Sequence, residues 1–279
     1  MRGDGKNRSV LHSLLPLLRC PFCAEGPVSA SRIVGGDEVR IDNGTLACAA
    51  CGRTTEVIDR VWQAMGDHTW SKTLAQVSNV TPPTPQIYER LWRVRSLSLL
   101  SGRSFPNDEE LLELTDALRP EAGKVFVDVA CSEGLYARAL ASRGATVIAV
   151  DHSRPFLRRV LHRAGDLPIV AVRAMAQHLP IVSGGLDGAG MGASLNEIGD
   201  QPTAVAEMAR VIRAGGAVFS MSLTTATTRR GCIVQRVLAP AGITVPTADA
   251  TVEMFERVGL RVNSRRLDRI VLRVAATRP

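Results

Sequence analysis

The stretch "VFVDVACSEGLYARALASRGATVIAVDHS", Val125 to Ser153, decides how the rest of the chain is read. An apolar run, "VFVDVA", leads through small residues into "GLYARALASRG", a segment of helical composition, and a second apolar run, "TVIAVD", ends on Asp151. Short apolar runs joined in this way read as parallel strands around a crossover helix. Nucleotide-binding proteins place glycines in the first strand-to-helix turn, because a backbone without Cβ bends tightly and admits a ligand. Here Asp128-Val129-Ala130-Cys131-Ser132-Glu133-Gly134 keeps only Gly134. If Ala130 or Ser132 requires φ > 0, its Cβ costs on the order of 1 kcal/mol. Asp151 sits about 20 residues further on, at the end of the second strand, where a carboxylate can accept the ribose hydroxyls of an adenosine.

From Lys124 onward the alternation continues. "LPIVAVRA", "AVFSMSL", "RVNSR" and "RIVLRVAAT" read as strands, and the glycine-rich "LDGAGMGAS" as a poor one. "RPFLRRVLHRAG", "PTAVAEMARVIRAGG" and "ADATVEMFERVGL" read as helices. The fold class is α/β: a mostly parallel sheet covered on both faces, with its ligand site at the carboxyl ends of the strands. Upstream, "IYERLWRVRSLSLLSG" carries Ile87, Leu91 and Val94 on one helical face, with Tyr88 and Trp92 one turn apart. "PNDEELLELTDALRP" is a second helix, with Asn107 as its cap and Pro120 as its stop.

The N-terminal third has a different character. Of the six cysteines, Cys20 and Cys23 form one C-x2-C pair and Cys48 and Cys51 another. Two such pairs, separated by "RIVGGDEVRIDNGTLA" with its Gly-Gly and Asn-Gly turn signals, have the spacing of a zinc ribbon. All four positions are protein thiolates, so a zinc ion held there would be structural. Two disulfides, a redox pair and an iron–sulfur cluster are the alternatives, and the S4 donor set suits iron–sulfur as well as zinc. The predicted organisation is a zinc ribbon with an N-terminal arm over 1–65, a linker over 66–85, and an α/β domain over 86–279 whose first helices, 86–120, cover the site.

The order of parts resembles the class I S-adenosylmethionine-dependent methyltransferases. Asp128 and Gly134 match the ends of that family's D-x-G-x-G-x-G turn. "VIAVDHS", "AQHLPIVSGGLDGAG", "EMARVIRAGGAVFSMSL" and "TADATVEMFERVGL" resemble its later motifs, so the likeness runs from about Tyr88 to the C-terminus. The ribbon followed by "IYERLWRVRSLSLLSG" resembles a group of bacterial and plastid methyltransferase-like proteins. More distantly it resembles the rRNA guanine methyltransferases, whose last metal ligand is typically His where Cys51 stands here.

The resemblance implies a Rossmann-like fold with S-adenosylmethionine held by Asp128, Ala130, Ser132, Gly134, Asp151, His152, Ala176, Gln177 and Ser194. Met175 stands where the family often has an Asp facing the adenine amine. No catalytic residue is identifiable; Glu197 as a base and Asn196 as an orienting group are weak candidates beside a capping role, and Tyr88 and Trp92 are candidates for the acceptor pocket. Cys131 and Cys232 lack partner bases and read as ordinary thiols.

The expected activity is methylation of a small molecule, a quinone or secondary metabolite. Base methylation of rRNA or tRNA, with the ribbon binding RNA, is the second expectation, and a methyltransferase fold with altered or lost cofactor binding is the third. A net charge of +7, concentrated partly in Arg261, Arg265, Arg266, Arg269, Arg273 and Arg278, favours an anionic partner, but 4% aromatics argues against a stacking platform for single strands. At 45% hydrophobic and 22% charged residues the chain reads as globular. No apolar run reaches the ~20 residues of a membrane span. Arg2, Lys6 and Arg8 precede "VLHSLLPLL", but His12 and Pro16 interrupt the run, so an arm rather than a secretion signal and a cytoplasmic location are expected.

Overall fold

A computed structural model describes residues 10–36, 40–68 and 94–279. The site is positioned by five parallel strands: β6 (Val125–Val129), β7 (Thr146–Asp151), β8 (Ile169–Arg173), β9 (Leu186–Gly192) and β10 (Ile212–Leu223). β11 (Arg261–Asp268) and β12 (Val271–Thr277) close one side, β12 antiparallel to β10 and β11 antiparallel to β12. The spatial order is β8-β7-β6-β9-β10-β12-β11. The chain winds outward from β6 to β8, then returns to β9 on the other side of β6, so the winding reverses there and opens a crevice at the carboxyl ends.

Three helices cover one face: α2 (Asn107–Leu118), α3 (Leu135–Ala141) and α4 (Arg154–Ala164) pack Leu114, Tyr136, Leu140, Leu157 and Val160 against Phe126, Val147 and Ala149. On the other face, α5 (Gln201–Val211) and α7 (Ala248–Arg257) bring Val205, Met208 and Phe255 against Val127, Ile148 and Ala189. Strands buried on both faces read as continuous apolar runs, which is why "VFVDV" and "TVIAV" lack alternation. α1 (Val94–Ser101) precedes α2, and α6 (Arg229–Leu238) follows β10. Ile87, Tyr88, Leu91 and Trp92 lie outside the described residues. No helix among the described residues is long and apolar enough to cross a membrane.

The four-cysteine region is built from β1 (Val10–Leu11), β2 (Val28–Gly36), β3 (Arg40–Cys48), β4 (Thr54–Ile58) and β5 (Val61–Gln63). β5 pairs in parallel with β8, Val61 beside Ala171 and Trp62 beside Val172, so the sheet continues through β4 and β3 to β1. Leu14, Leu18, Val28, Ile41, Leu46 and Trp62 share one core with Val170, Val172 and Ile181. Of the linker expected over 66–85, residues 66–68 follow β5 and residues 69–85 lie outside the described residues. The arm is the short strand β1 and a 3-10 helix, His12–Leu17, whose Leu14 is buried.

Two features of the sequence acquire structural reasons. Four of the six C-terminal arginines are tied into the fold: Arg273 is 4% exposed and pairs with Asp268 at 2.6 Å, Arg266 pairs with Glu113 and Arg265 with Asp249, and Arg278 donates to the Ile212 carbonyl. The glycines of β9 make room for aromatic rings. A Cβ on Gly188 would stand 3.0 Å from the Phe126 ring, and one on Gly190 or Gly192 would stand 3.1 or 2.9 Å from that of Tyr136. Tyr136 cannot retreat, because it is 2% exposed and its hydroxyl bonds to the fully buried Glu110. Gly192→Ala is accordingly expected to destabilise the protein by about 1–3 kcal/mol in urea denaturation. Gly199→Ala, where nothing lies within 4 Å, should be close to neutral; equal midpoints for the two variants would show that the ring does not require the glycine.

Candidate functional site

The turn after β6 is the centre of the site. Ala130 and Ser132 adopt φ of +52° and +48°, and Gly134 has φ +74°. The two substituted positions thus do require the left-handed conformation, at about 1–2 kcal/mol each for a residue with a Cβ. The turn is held in it by its surroundings. Asp151, 5% exposed, accepts the Ser132 amide on Oδ2 at 2.9 Å and the Ser153 amide on Oδ1 at 2.8 Å. The Cys131 amide donates to the Val150 carbonyl at 3.0 Å, and Ser194 Oγ donates to the Ala130 carbonyl at 2.9 Å. Glu133, 3% exposed, pairs with Arg159 at 2.6 Å and Arg163 at 2.7 Å on α4, while Arg138 donates to its carbonyl.

An open cleft lies over this turn at the carboxyl ends of β6 to β9. Ala130, Ser132, Asp151, His152, Ala176, Gln177 and Ser194, seven of the expected cofactor contacts, line it. Asp128 and Gly134 do not. Asp128 is buried beneath the turn, where its Oδ2 accepts the Ala137 amide at 2.9 Å and so fixes the start of α3, and Gly134 abuts Val160. Met175 lines the cleft, as do Phe156, Ala174 and Ile198, which sequence reasoning missed. The available signal for Phe156 was its place three residues after the Ser153 cap of α4, whose hydroxyl accepts the Phe156 amide.

Burial pushes the Asp151 carboxyl above its ordinary range, against the opposing pull of His152 and the Ser153 and Ser132 amides. Burial, reinforced by Asp128 and Asp151, also holds the Cys131 thiol well above its usual value, which removes it as a nucleophile. Cys232 donates to the Ala226 carbonyl at 3.0 Å. Glu197 lines the cleft beyond β9.

Asn196, the candidate for orienting an acceptor, is committed elsewhere. Its amide nitrogen donates to the Leu223 and Thr244 carbonyls at 2.7 and 2.8 Å, and its oxygen accepts the Leu223 amide at 2.6 Å. It ties the segment after β10 down over the sheet. Tyr88 and Trp92 lie outside the described residues.

Cys20, Cys23, Cys48 and Cys51 converge: all four Sγ atoms lie within 4.8 Å of one another, with Cys20–Cys51 and Cys23–Cys48 each at 3.7 Å. A disulfide needs about 2.05 Å. A tetrahedral ion bonded to sulfur at ~2.3 Å sets its ligands about 3.8 Å apart, so the donors fit such an ion. Backbone amides of Phe22 and Ala50 point at Cys20 and Cys48 Sγ, at 3.4 and 3.3 Å. The amides of Glu25 and Gly26 bring the Cys23 thiol down to about 6, whereas burial pushes Cys20 up to about 12. A Cβ on Gly26 would stand 2.7 Å from Cys48 Sγ, so the knuckle closes only around glycine.

The strained turn yields a prediction. Ala130→Gly and Ser132→Gly each remove the left-handed penalty and give back about 0.4–1 kcal/mol of unfolded-chain entropy. Each variant should therefore gain about 0.5–1 kcal/mol of stability in urea denaturation; a loss would show that the turn is not strained.

Comparison with known proteins agrees with this geometry. A family model described as a methyltransferase domain matches residues 127–220. The chain is 29% and 30% identical, over 215 and 212 residues, to two chloroplastic proteins of Arabidopsis thaliana described as uncharacterized methyltransferases. Those alignments cover 72% and 71% of this chain and 59% of each relative, so the chain spans less than two thirds of their length. A demethylmenaquinone methyltransferase of Clavibacter sepedonicus is 29% identical over 142 residues, covering 49% of this chain and 58% of that one. Among solved structures, a geranyl diphosphate methyltransferase in complex with GPP and sinefungin superposes with a TM-score of 0.53 at 17% identity, covering 62% of this chain and 78% of its own. A chain from the Haloferax volcanii complex of the Trm112 methyltransferase activator with a methyltransferase gives 0.57 at 13%, covering 75% of this chain and 100% of its own. A methyltransferase-domain model thus matches residues 127–220, and the sheet order and the solved structures give the chain the Rossmann-like fold of the class I methyltransferases.

Proposed function

We propose that the chain is an S-adenosylmethionine-dependent methyltransferase with a small-molecule acceptor of the quinone or secondary-metabolite class, and that its four cysteines hold one structural zinc ion. The observation that carries the first part is the cleft itself, which gathers Ala130, Ser132, Asp151, His152, Ala176, Gln177 and Ser194 at the winding reversal of the sheet. Asp151 would take the ribose. Each of its oxygens accepts one backbone amide, and a carboxylate oxygen has a second lone pair for a hydroxyl. Phe156, Met175 and Ala176 offer an apolar wall for a purine, with the Gln177 amide in place of a carboxylate beside it.

The cofactor, when bound, supplies an electrophilic methyl group, and the protein's share is to align and shield the reacting partners. For an acceptor that must lose a proton, Glu197 is the carboxylate on the cleft wall beyond β9. A small acceptor is supported by the demethylmenaquinone methyltransferases among the relatives and by the internal pairing of the C-terminal arginines, which leaves less charge for RNA.

Calorimetric titration with S-adenosylmethionine and S-adenosylhomocysteine tests the activity. Asp151→Ala is expected to weaken binding about 100-fold, two charge-assisted hydrogen bonds at roughly 1.5 kcal/mol each. No binding by the folded, metal-loaded chain would instead support a fold that has lost its cofactor. Zinc is tested by metal analysis: one equivalent per chain without visible absorbance is expected, Cys48→Ser should lose it together with thermal stability, and a charge-transfer band would mean iron–sulfur.

A further inference from the structure

The segment that leaves β8 carries Met175, Ala176 and Gln177 into the cleft, and the four-cysteine region grips it along its length. Its root is held where the Ala64 amide, just past β5, donates to the Arg173 carbonyl at 2.9 Å. Its far end is held by the residues preceding Cys20. The Arg19 amide donates to the Pro180 carbonyl at 3.1 Å, and the Val182 amide donates to the Leu17 carbonyl at 2.9 Å.

Arg19 adds a side-chain grip. Its Nε donates to the Leu179 carbonyl at 3.3 Å, and its Nη2 meets Glu207 at 3.4 Å. The same Glu207 oxygen accepts the Leu179 amide at 2.7 Å, and Arg210 donates to the Leu179 and Ile181 carbonyls. At the tip, the His178 ring stacks on His68, with centroids 3.6 Å apart and planes within 5°.

Glu207 and Arg210 belong to α5, and the Ala174 amide donates to the Asp151 carbonyl at 3.1 Å, but the remaining grips trace back to one place. Arg19 is bonded to Cys20, and the 64–68 segment lies on the same knuckle, where a Cβ on Gly66 would stand 2.5 Å from the Pro21 carbonyl oxygen. Leu179 and Ile181 are fully buried in the core that contains Leu18 and Cys20. Within the segment itself only short local bonds, His178 amide to Met175 carbonyl and Ile181 amide to Leu179 carbonyl, hold the backbone. A segment of this kind would otherwise order itself at the expense of binding energy.

We infer that the ribbon is an intramolecular brace that presets the 174–182 segment for cofactor binding, with Arg19 and His68 as positioning residues for Met175, Ala176 and Gln177. This rests on the proposed reading of the cleft as an S-adenosylmethionine site. Neither residue lines the cleft, so their effect on affinity runs through the segment.

The test combines hydrogen exchange with calorimetry on the full-length, metal-loaded chain. In Arg19→Ala the amides of 174–182 should exchange at least tenfold faster, S-adenosylhomocysteine should bind about tenfold more weakly, and the metal content should stay at the wild-type level. His68→Ala should move the same amides and the affinity in the same direction to a smaller extent. Arg19→Lys, which keeps the charge facing Glu207, carries the comparison if Arg19→Ala does not fold. Unchanged exchange overturns the brace, and faster exchange with unchanged affinity overturns its role in binding. A wild-type chain that binds no S-adenosylhomocysteine refutes the cofactor reading, and with it this role in binding, while exchange still reports on the brace.

Discussion

The Asp151 carboxylate is the interaction on which the site depends. It is buried at the end of β7, yet it reaches sideways to the turn after β6 and accepts an amide on each oxygen. Burial alone would favour the neutral acid, and the amides favour the ion. The carboxylate keeps both hydrogen bonds only while the turn keeps its shape, since one of the two donors is the amide of Ser132 within it. A group suited to ribose hydroxyls is therefore also the group that keeps the turn folded. Strain in the turn and charge at the strand end are one constraint seen from two sides.

That constraint acts on a sheet whose edge is covered in an unusual way. An exposed β8 edge would present unpaired backbone groups to solvent and to other chains. β5 pairs with it in parallel, and the antiparallel ribbon strands continue outward from there. The cysteine knuckles lie at the end of this extension, too small to build a core alone and joined to the main one through Leu18, Cys20, Leu46 and Trp62. Cross-linking four thiolates through one ion would lock the ribbon strands, and the ribbon in turn would fix the chain entering and leaving the cleft wall.

Much of this was legible in the sequence because strong local signals carried it. The βα alternation apart from α6, the two C-x2-C pairs and the position of Asp151 all carry over into the structure. What was not legible depended on contacts distant in sequence. β5 is three residues long, too short for any periodicity, and only its pairing with β8 makes it a strand. Asn196 looked like a group at the methyl end of a cleft. Its partners at Leu223 and Thr244, 27 and 48 residues away, take both of its amide hydrogens and one lone pair of its oxygen. Asp128 sits under the turn instead of in the cleft, because the first amides of α3 need an acceptor there.

The distribution of glycines follows from the same physics. A residue in the left-handed region pays a conformational cost, and it pays a second, steric cost only if its Cβ meets packed atoms. Ala130 and Ser132 line an open cleft, so their side chains have room and only the first cost applies. At Gly134 both would apply, since a Cβ would meet both γ-methyls of Val160 at 3.1 Å, and there the glycine is kept. In β9 the backbone is ordinary strand and glycine is a conformational liability, yet Gly190 and Gly192 persist because Tyr136 lies on them. Tyr136 belongs to α3, the helix that the Ala130–Gly134 turn launches and Asp128 caps. The turn can give up glycines that face the cleft, while the strand cannot give up those that seat the helix holding that turn in place.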